Sequence, residues 1–280
     1  MTDERGLQQA AEAVASAEAL LIGAGAGMGV DSGLPDFRGD KGFWKAYPPY
    51  EKLGLNFIAL ANPRWFDEDP ALAWGFYGHR LNLYRATPPH EGFQILRRWA
   101  ARMKHGAFVY TSNVDGHFQR AGFDPDRVFE VHGTIDWMQC LDGLRYGCRI
   151  GIFPANAPLS IDETTMRAAE PLPKCPGCGK LARPNILMFN DGDWDESRSE
   201  AQRRRMQQWI VQVGARPTVI IECGAGTAVP SIRIRSEVLV GTGHTTLVRI
   251  NPREPDVPPG HISLPMNALA ALQEIDRRLT

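Results

Sequence analysis

Ala19-Leu20-Leu21-Ile22-Gly23-Ala24-Gly25-Ala26-Gly27-Met28-Gly29 is the stretch on which the reading of the fold turns. A short, continuous apolar run suits a strand covered on both faces, as in a parallel sheet between helices. Glycines directly after such a strand let the backbone approach a pyrophosphate, whose charge a helix N-terminus then favours. The same glycines also describe an ordinary flexible connector, and the pattern alone decides nothing. The continuation Gly33-Leu34-Pro35-Asp36-Phe37-Arg38-Gly39 tips the balance. A proline turn there brings a carboxylate, an aromatic ring and a guanidinium to one place, which suits a ligand better than packing.

Working outward, similar runs recur at Ala107–Tyr110, Val128–Val131, Thr218–Ile221 and Thr246–Ile250. Candidate covering helices lie at 6–18, 90–103, 197–213 and 267–279. Two stretches break the alternation: 39–89, rich in aromatics and prolines, and 137–187, which holds four of the five cysteines. Both read as insertions forming a smaller lobe.

Composition bounds the function. Among 280 residues, 31 Lys and Arg face 32 Asp and Glu, a net charge of −1, so no broad electrostatic attraction to nucleic acid or anionic membrane is expected. With 43% hydrophobic residues the chain can bury a proper core. Met1-Thr2-Asp3-Glu4-Arg5 offers no apolar leader segment, and no apolar stretch approaches the ~18 residues of a membrane helix. A soluble, cytoplasmic protein with reduced thiols is the expectation. The oligomeric state is left open.

From Gly25 to Arg38 the sequence resembles the sirtuins, the NAD-dependent protein deacylases, in a divergent bacterial-type form. Their signature is Gly-Ala-Gly, five residues, then Gly-Ile-Pro-Asp-Phe-Arg. The resemblance continues at Thr111-Ser112-Asn113-Val114-Asp115, Ala121-Gly122, Val131-His132-Gly133, Cys175-Pro176-Gly177-Cys178-Gly179, Arg183-Pro184 and Phe189. It ends with Cys223-Gly224-Ala225-Gly226-Thr227 and Ile250-Asn251, all in family order. It implies NAD as cofactor, held by Gly25, Ala26, Gly27, Asp36, Phe37, Arg38, Ser112, Asn113, Val114, Asp115, Gly224, Ala225, Gly226 and Asn251.

It also implies the chemistry. An acyl-lysine carbonyl attacks the anomeric carbon as nicotinamide leaves, and a general base activates the neighbouring ribose hydroxyl. His132 would be that base, since a pKa near 6.5 leaves much of it neutral at pH 7; the plain reading is a satisfied core histidine. Asn113 would orient the ribose or a water, and Asp115 would accept from the nicotinamide amide. Either could instead belong to an Asx-rich turn. Phe37 would cover the ribose, Arg38 would meet the diphosphate, and Asn251 would reach the adenine-side ribose.

The cysteines bear on this separately. Cys175 and Cys178 form a tight Cys-x-x-Cys suited to zinc or to a redox pair. Cys140 stands eight residues after His132, where the family has its first zinc ligand, but Gly143 occupies the place of the second. Cys148 is the remaining candidate, which makes Cys140, Cys148, Cys175 and Cys178 the expected zinc set. Cys223 reads as a small buried hydrophobe. The expected fold is thus α/β, a Rossmann-like parallel sheet with a smaller zinc-binding and helical lobe. Residues 1–38, 90–136 and 188–280 are assigned to the NAD-binding domain, and 39–89 and 137–187 to the lobe.

Residues 71–84 read as an amphipathic helix placing Tyr77 and Arg80 on one face. Tyr-x-x-Arg resembles sirtuins preferring succinyl or malonyl groups, whose carboxylate an Arg fork and a Tyr hydroxyl can hold. A core aromatic beside a snorkelling arginine is the rival. The acidic run Asp191, Asp193, Asp195, Glu196 reads as a solvated loop, and Arg203-Arg204-Arg205 as a wet helix face. His117, near the expected nicotinamide pocket, receives no role.

Departures fall on chemistry-bearing segments. Gly29 replaces a serine, Ser112 a glutamine, Asn190-Asp191 a Gly-Glu, His117-Phe118 a Leu-His, and Gly224-Ala225-Gly226 a Gly-Thr-Ser. NAD binding is thereby better supported than deacylation, and Asn190 and Asp191 point to an alternative. Because His132, Asn113 and Asp115 survive together with the zinc lobe, the expected function is a deacylase acting on acylated protein lysine. An NAD-dependent ADP-ribosyltransferase or NAD glycohydrolase is the alternative, and a silent nucleotide-binding module the third.

Overall fold

The computed structural model describes residues 4–35, 39–143, 147–241 and 243–279. Six strands form the main sheet: β1 (Ala19–Ala24), β2 (Ala107–Thr111), β3 (Val128–Glu130), β9 (Thr218–Cys223), β10 (Thr245–Ile250) and β11 (Ile262–Leu264). Their order is β11-β10-β9-β1-β2-β3 and every neighbouring pair is parallel. Numbering only these six, this is the doubly wound order 3-2-1-4-5-6, in which the direction of winding reverses between β1 and β9.

The apolar runs become strands because both faces of the sheet are covered. Leu20, Ile22, Val109 and Ile221 pack on one side with Leu7, Leu96 and Leu272, from helices Glu4–Ser16, Glu91–Arg102 and Ala268–Leu279. Leu21, Phe108, Ile220 and Leu247 pack on the other with Met206, Trp209 and Ile232, from helices Ser197–Val213 and Ser231–Val240. Each buried Leu or Ile contributes roughly 1.5–3 kcal/mol over leaving it in water. The short edge strand β11 has no counterpart among the sequence-predicted strands; three residues carry too little apolar signal.

A smaller lobe is built from two insertions, a helical one between β1 and β2 and a stranded one between β3 and β9. In it β4 (Gly133–Cys140) pairs antiparallel with β5 (Ile152–Pro154) and β8 (Ala182–Ile186), and β6 (Ile161–Asp162) pairs with β7 (Arg167–Ala168). Helix Pro70–Ala86 starts where the Asp69 carboxylate accepts from the Leu72 N–H at 3.2 Å. The expected helix is there, but its amphipathic character is not. Leu72 through Gly78, Arg80, Leu81 and Tyr84 are all buried. A Cβ at Gly75 would sit 1.9 Å from the Met166 carbonyl, so the chain entering β7 lies directly on this helix and covers a second face.

Candidate active site

The loops at the C-terminal ends of β1, β2, β9 and β10 meet at the reversal of winding, where such sheets bind ligands. The Gly27 N–H donates to the Gly224 carbonyl at 3.1 Å, and Gly25 N–H to Cys223 at 3.0 Å. A Cβ on Gly224, whose φ is +63°, would come within 2.4 Å of Gly27 backbone carbon. Only glycine permits this contact. It makes a backbone-lined cradle next to a pocket bordered by Val30, Asp31, Asn251 and Arg253. Asn251 commits its side chain to backbone: its amide donates to Ala225 at 2.9 Å, and its carbonyl accepts from Arg253 and Glu254 N–H at 3.0 Å. It thereby holds the loop that borders the pocket. Ala225 is buried beside it, whereas Gly226 is half-exposed.

Beside the cradle, the Thr111 hydroxyl donates to the Ala24 carbonyl at 3.0 Å and accepts from the Asn113 N–H at 3.0 Å. Ser112 N–H also donates to Ala24, at 3.1 Å. The chain carrying Ser112, Asn113, buried Val114 and Asp115 is thus tied to the end of β1. The Asp115 carboxylate accepts from the His117 backbone N–H at 2.9 Å, and Arg120 donates to the Asp115 carbonyl.

His132 lies between β3 and β4. Gly133, at φ +73°, passes so close to Asn185 that a Cβ would lie 2.1 Å from its carbonyl oxygen. The crossing fixes the chain direction just after His132. Burial holds the His132 pKa below its usual 6.5, partly offset by a hydrogen bond to the Ser112 backbone. The ring is therefore neutral at pH 7 and adjoins the Ser112–Asn113 segment. Sequence reasoning missed what anchors it. Buried Glu130, two residues earlier, pairs with Arg198 at 2.6 Å and accepts from Gln202 at 3.2 Å, while the Ser199 hydroxyl donates to its carbonyl at 3.0 Å. A glutamate in an otherwise apolar strand was the available signal.

The four cysteines converge. All four sulfurs lie within 4.8 Å of one another, with Cys140–Cys178 and Cys148–Cys175 each at 3.6 Å. Thiolates at 2.3 Å around a tetrahedral zinc would be about 3.8 Å apart, so the donor set fits zinc. Cys148 joins despite its wide spacing from Cys140, and a lone Cys175/Cys178 redox pair would not require the other two. Burial opposes ionisation of Cys175, but backbone N–H groups of Cys178 and Gly177 outweigh it and pull the thiol down to about 7.

Tyr77 and Arg80 are 1% and 6% exposed. The Arg80 Nε donates to the Tyr84 hydroxyl at 2.9 Å, and its guanidinium lies 5.1–5.8 Å from the ring centres of Phe57, Phe76, Tyr77 and Tyr84. It is enclosed by aromatics rather than snorkelling to solvent.

The acidic run is not a uniformly solvated loop. The Asp191 side chain is fully buried, bonded to both terminal nitrogens of Arg183 and accepting from the Met188 N–H at 3.1 Å. The arginine run does pair outward, with Arg203 and Arg204 on Glu200 and Arg205 on Asp126. Asp36, Phe37 and Arg38 lie outside the described residues.

The Sir2 family profile matches residues 25–220, more than half of the chain. An NAD-dependent protein deacylase of Aquifex aeolicus is 33% identical over 167 residues, 60% of this chain and 59% of that protein, so the chain matches under two thirds of its length. An NAD-dependent protein deacylase of Aeropyrum pernix is 28% identical over 97% of this chain and 96% of its own. A probable bifunctional ADP-ribose hydrolase/ADP-ribosyltransferase of Fusarium oxysporum f. sp. cubense is 29% identical over 89% of this chain and 43% of its own. The solved structure of a Sir2 homolog–NAD complex superposes with a TM-score of 0.70 at 25% identity, covering 100% of this chain and 94% of that one. With its parallel sheet, four-cysteine lobe and family match, the chain belongs to the Sir2 family.

Proposed function

We propose that the protein is an NAD-dependent protein-lysine deacylase that releases nicotinamide and O-acyl-ADP-ribose. The observation that carries this is the neutral, backbone-oriented His132 adjoining the Ser112–Asn113 segment at the mouth of the glycine cradle. Bound NAD supplies an electrophilic anomeric carbon and a leaving nicotinamide. The loops at Gly25–Gly27 and Gly224–Gly226 press together where side chains on Gly25, Gly27 or Gly224 would clash, and their backbone N–H groups are proposed to face the diphosphate. Ala26, Ser112 and Val114 are proposed to line the same cleft, and Asn251, bonded to Ala225, is proposed to hold its adenine-side loop. Asp36, Phe37 and Arg38 are proposed to complete it.

In this reading His132 takes the proton of the ribose hydroxyl as general base. Asn113 orients that hydroxyl or a water, and Asp115 accepts from the carboxamide. Zinc on the four cysteines holds the small lobe together rather than entering the chemistry. The acylated side chain of a protein lysine is the substrate. Among the described residues no helix is long and apolar enough to cross a membrane.

Tyr77 and Arg80 are proposed to accept an acidic acyl group, with the buried guanidinium meeting a terminal carboxylate in a low-dielectric box. If so, Arg80→Met lowers turnover of a succinyl-lysine peptide selectively. An unchanged succinyl-to-acetyl ratio would sink the idea. The Fusarium relative keeps ADP-ribosyl transfer as a second reading, but Asp191, one of the departures suggesting it, serves Arg183 instead. One experiment separates them: incubation with NAD and acylated peptides, with products identified by mass. Acyl-ADP-ribose supports deacylation; modified protein or free ADP-ribose alone supports the second reading. No nicotinamide release despite tight NAD binding refutes both.

A further inference from the structure

His117 is fully buried, and among the described residues neither ring nitrogen has a hydrogen-bond partner. Burial also keeps the ring neutral, so it carries one N–H donor and one acceptor nitrogen. Buried donors and acceptors of this kind are as a rule satisfied by protein, ligand or water. The surrounding groups do not satisfy these two. The neighbouring His90 ring is already used, its Nε2 on the Met28 carbonyl at 2.9 Å and its Nδ1 accepting from the Gly92 N–H at 3.0 Å. Phe93 packs edge-on between the two histidines, its ring centre 4.9 Å from His90 and 5.6 Å from His117. The Thr87 carbonyl faces the His117 ring without reaching hydrogen-bond geometry.

Asp115, two residues earlier, acts electrostatically on the His117 ring, as do Arg120 and His90. One Asp115 carboxylate oxygen is occupied by the His117 backbone N–H, and the other lies 3.7 Å from the point where a side chain at Gly29 would begin. Gly29 has no side chain there, and the Leu34 side chain borders the same point at 3.3 Å, leaving room for a single small polar group. An ionised carboxylate only accepts, whereas a carboxamide both donates and accepts. A neutral imidazole beside Asp115 supplies the missing donor.

We propose that His117 is a positioning residue for the nicotinamide half of NAD. With Asp115 it forms the polar end of the nicotinamide pocket, and its ring bonds the carboxamide directly or through one water in the space at Gly29. This rests on the reading that places the carboxamide at Asp115.

The test compares NAD with ADP-ribose, which lacks nicotinamide, by calorimetric titration. Loss of that one hydrogen bond predicts that His117→Leu weakens NAD binding about tenfold while ADP-ribose binding and the melting temperature hold. His117→Gln, which keeps a donor and an acceptor, restores most of the loss and covers the case in which the leucine variant misfolds. Equal weakening of both ligands shows a merely structural role and overturns the proposal. So does unchanged NAD binding in His117→Leu when Asp115→Ala does weaken it. If Asp115→Ala leaves the NAD-to-ADP-ribose ratio unchanged, the placement of the carboxamide fails, and this inference with it.

Discussion

Asp191→Ala isolates a contact that ties the segment after Phe189 to the four-cysteine lobe. In the native chain the Arg183 and Asp191 side chains are 1% and 0% exposed, and the carboxylate also accepts from the Met188 N–H. Truncation leaves a buried guanidinium whose remaining acceptor is the Ile186 carbonyl at 2.9 Å. Breaking one side of a buried pair costs roughly 3–5 kcal/mol, and the lost backbone bond about 1 kcal/mol more. At roughly 2–4 °C per kcal/mol for a chain of this size, the melting temperature should fall by about 10 °C or more. The assay is urea and thermal unfolding of the single variants and of Arg183→Met/Asp191→Leu, which removes both charges. The double variant should recover most of the loss, because an apolar pair of similar volume replaces the ion pair at little cost. A single-variant loss within about 1 kcal/mol, or a double variant no better than Asp191→Ala, would refute the reasoning.

Three further outcomes are expected. Metal analysis should find one zinc per chain, and chelation should lower the thermal transition; an unmoved melting curve argues against a structural metal. Gly224→Ala drives a Cβ to 2.4 Å from backbone in a left-handed conformation, so it should cost roughly 2–4 kcal/mol and abolish NAD binding by calorimetry. Because burial lowers the His132 pKa, the neutral base persists as pH falls; the acid limb of kcat/KM should lie below pH 6.5, and a limb centred above that value would contradict the assignment.

How much was legible depended on how local the cause was. Runs such as Leu20–Ile22 and Val219–Ile221 announce buried parallel strands because apolar length is written in the chain itself. The tight turn at Cys175 and Cys178 is local in the same way. Helix Pro70–Ala86 was visible as a helix, but its burial was not, because the segment covering its second face arrives some ninety residues later at Met166. Asp191 read as solvated for a different reason: its partner, Arg183, is only eight residues away, but the pair is buried by the fold around β8, which acidic composition does not show.

By itself, then, the sequence determined the strand-and-glycine skeleton, the Cys175/Cys178 pair and the residues worth watching, since each is set by composition and spacing over a few positions. Only the tertiary structure decided that Cys148 closes the cluster, that Gly27 and Gly224 press backbone to backbone, that Glu130 braces the His132 segment, and that His117 is buried with both nitrogens unpaired. Those are distances between segments far apart in the chain, and burial and electrostatics act through distance in space, which spacing along the sequence does not record.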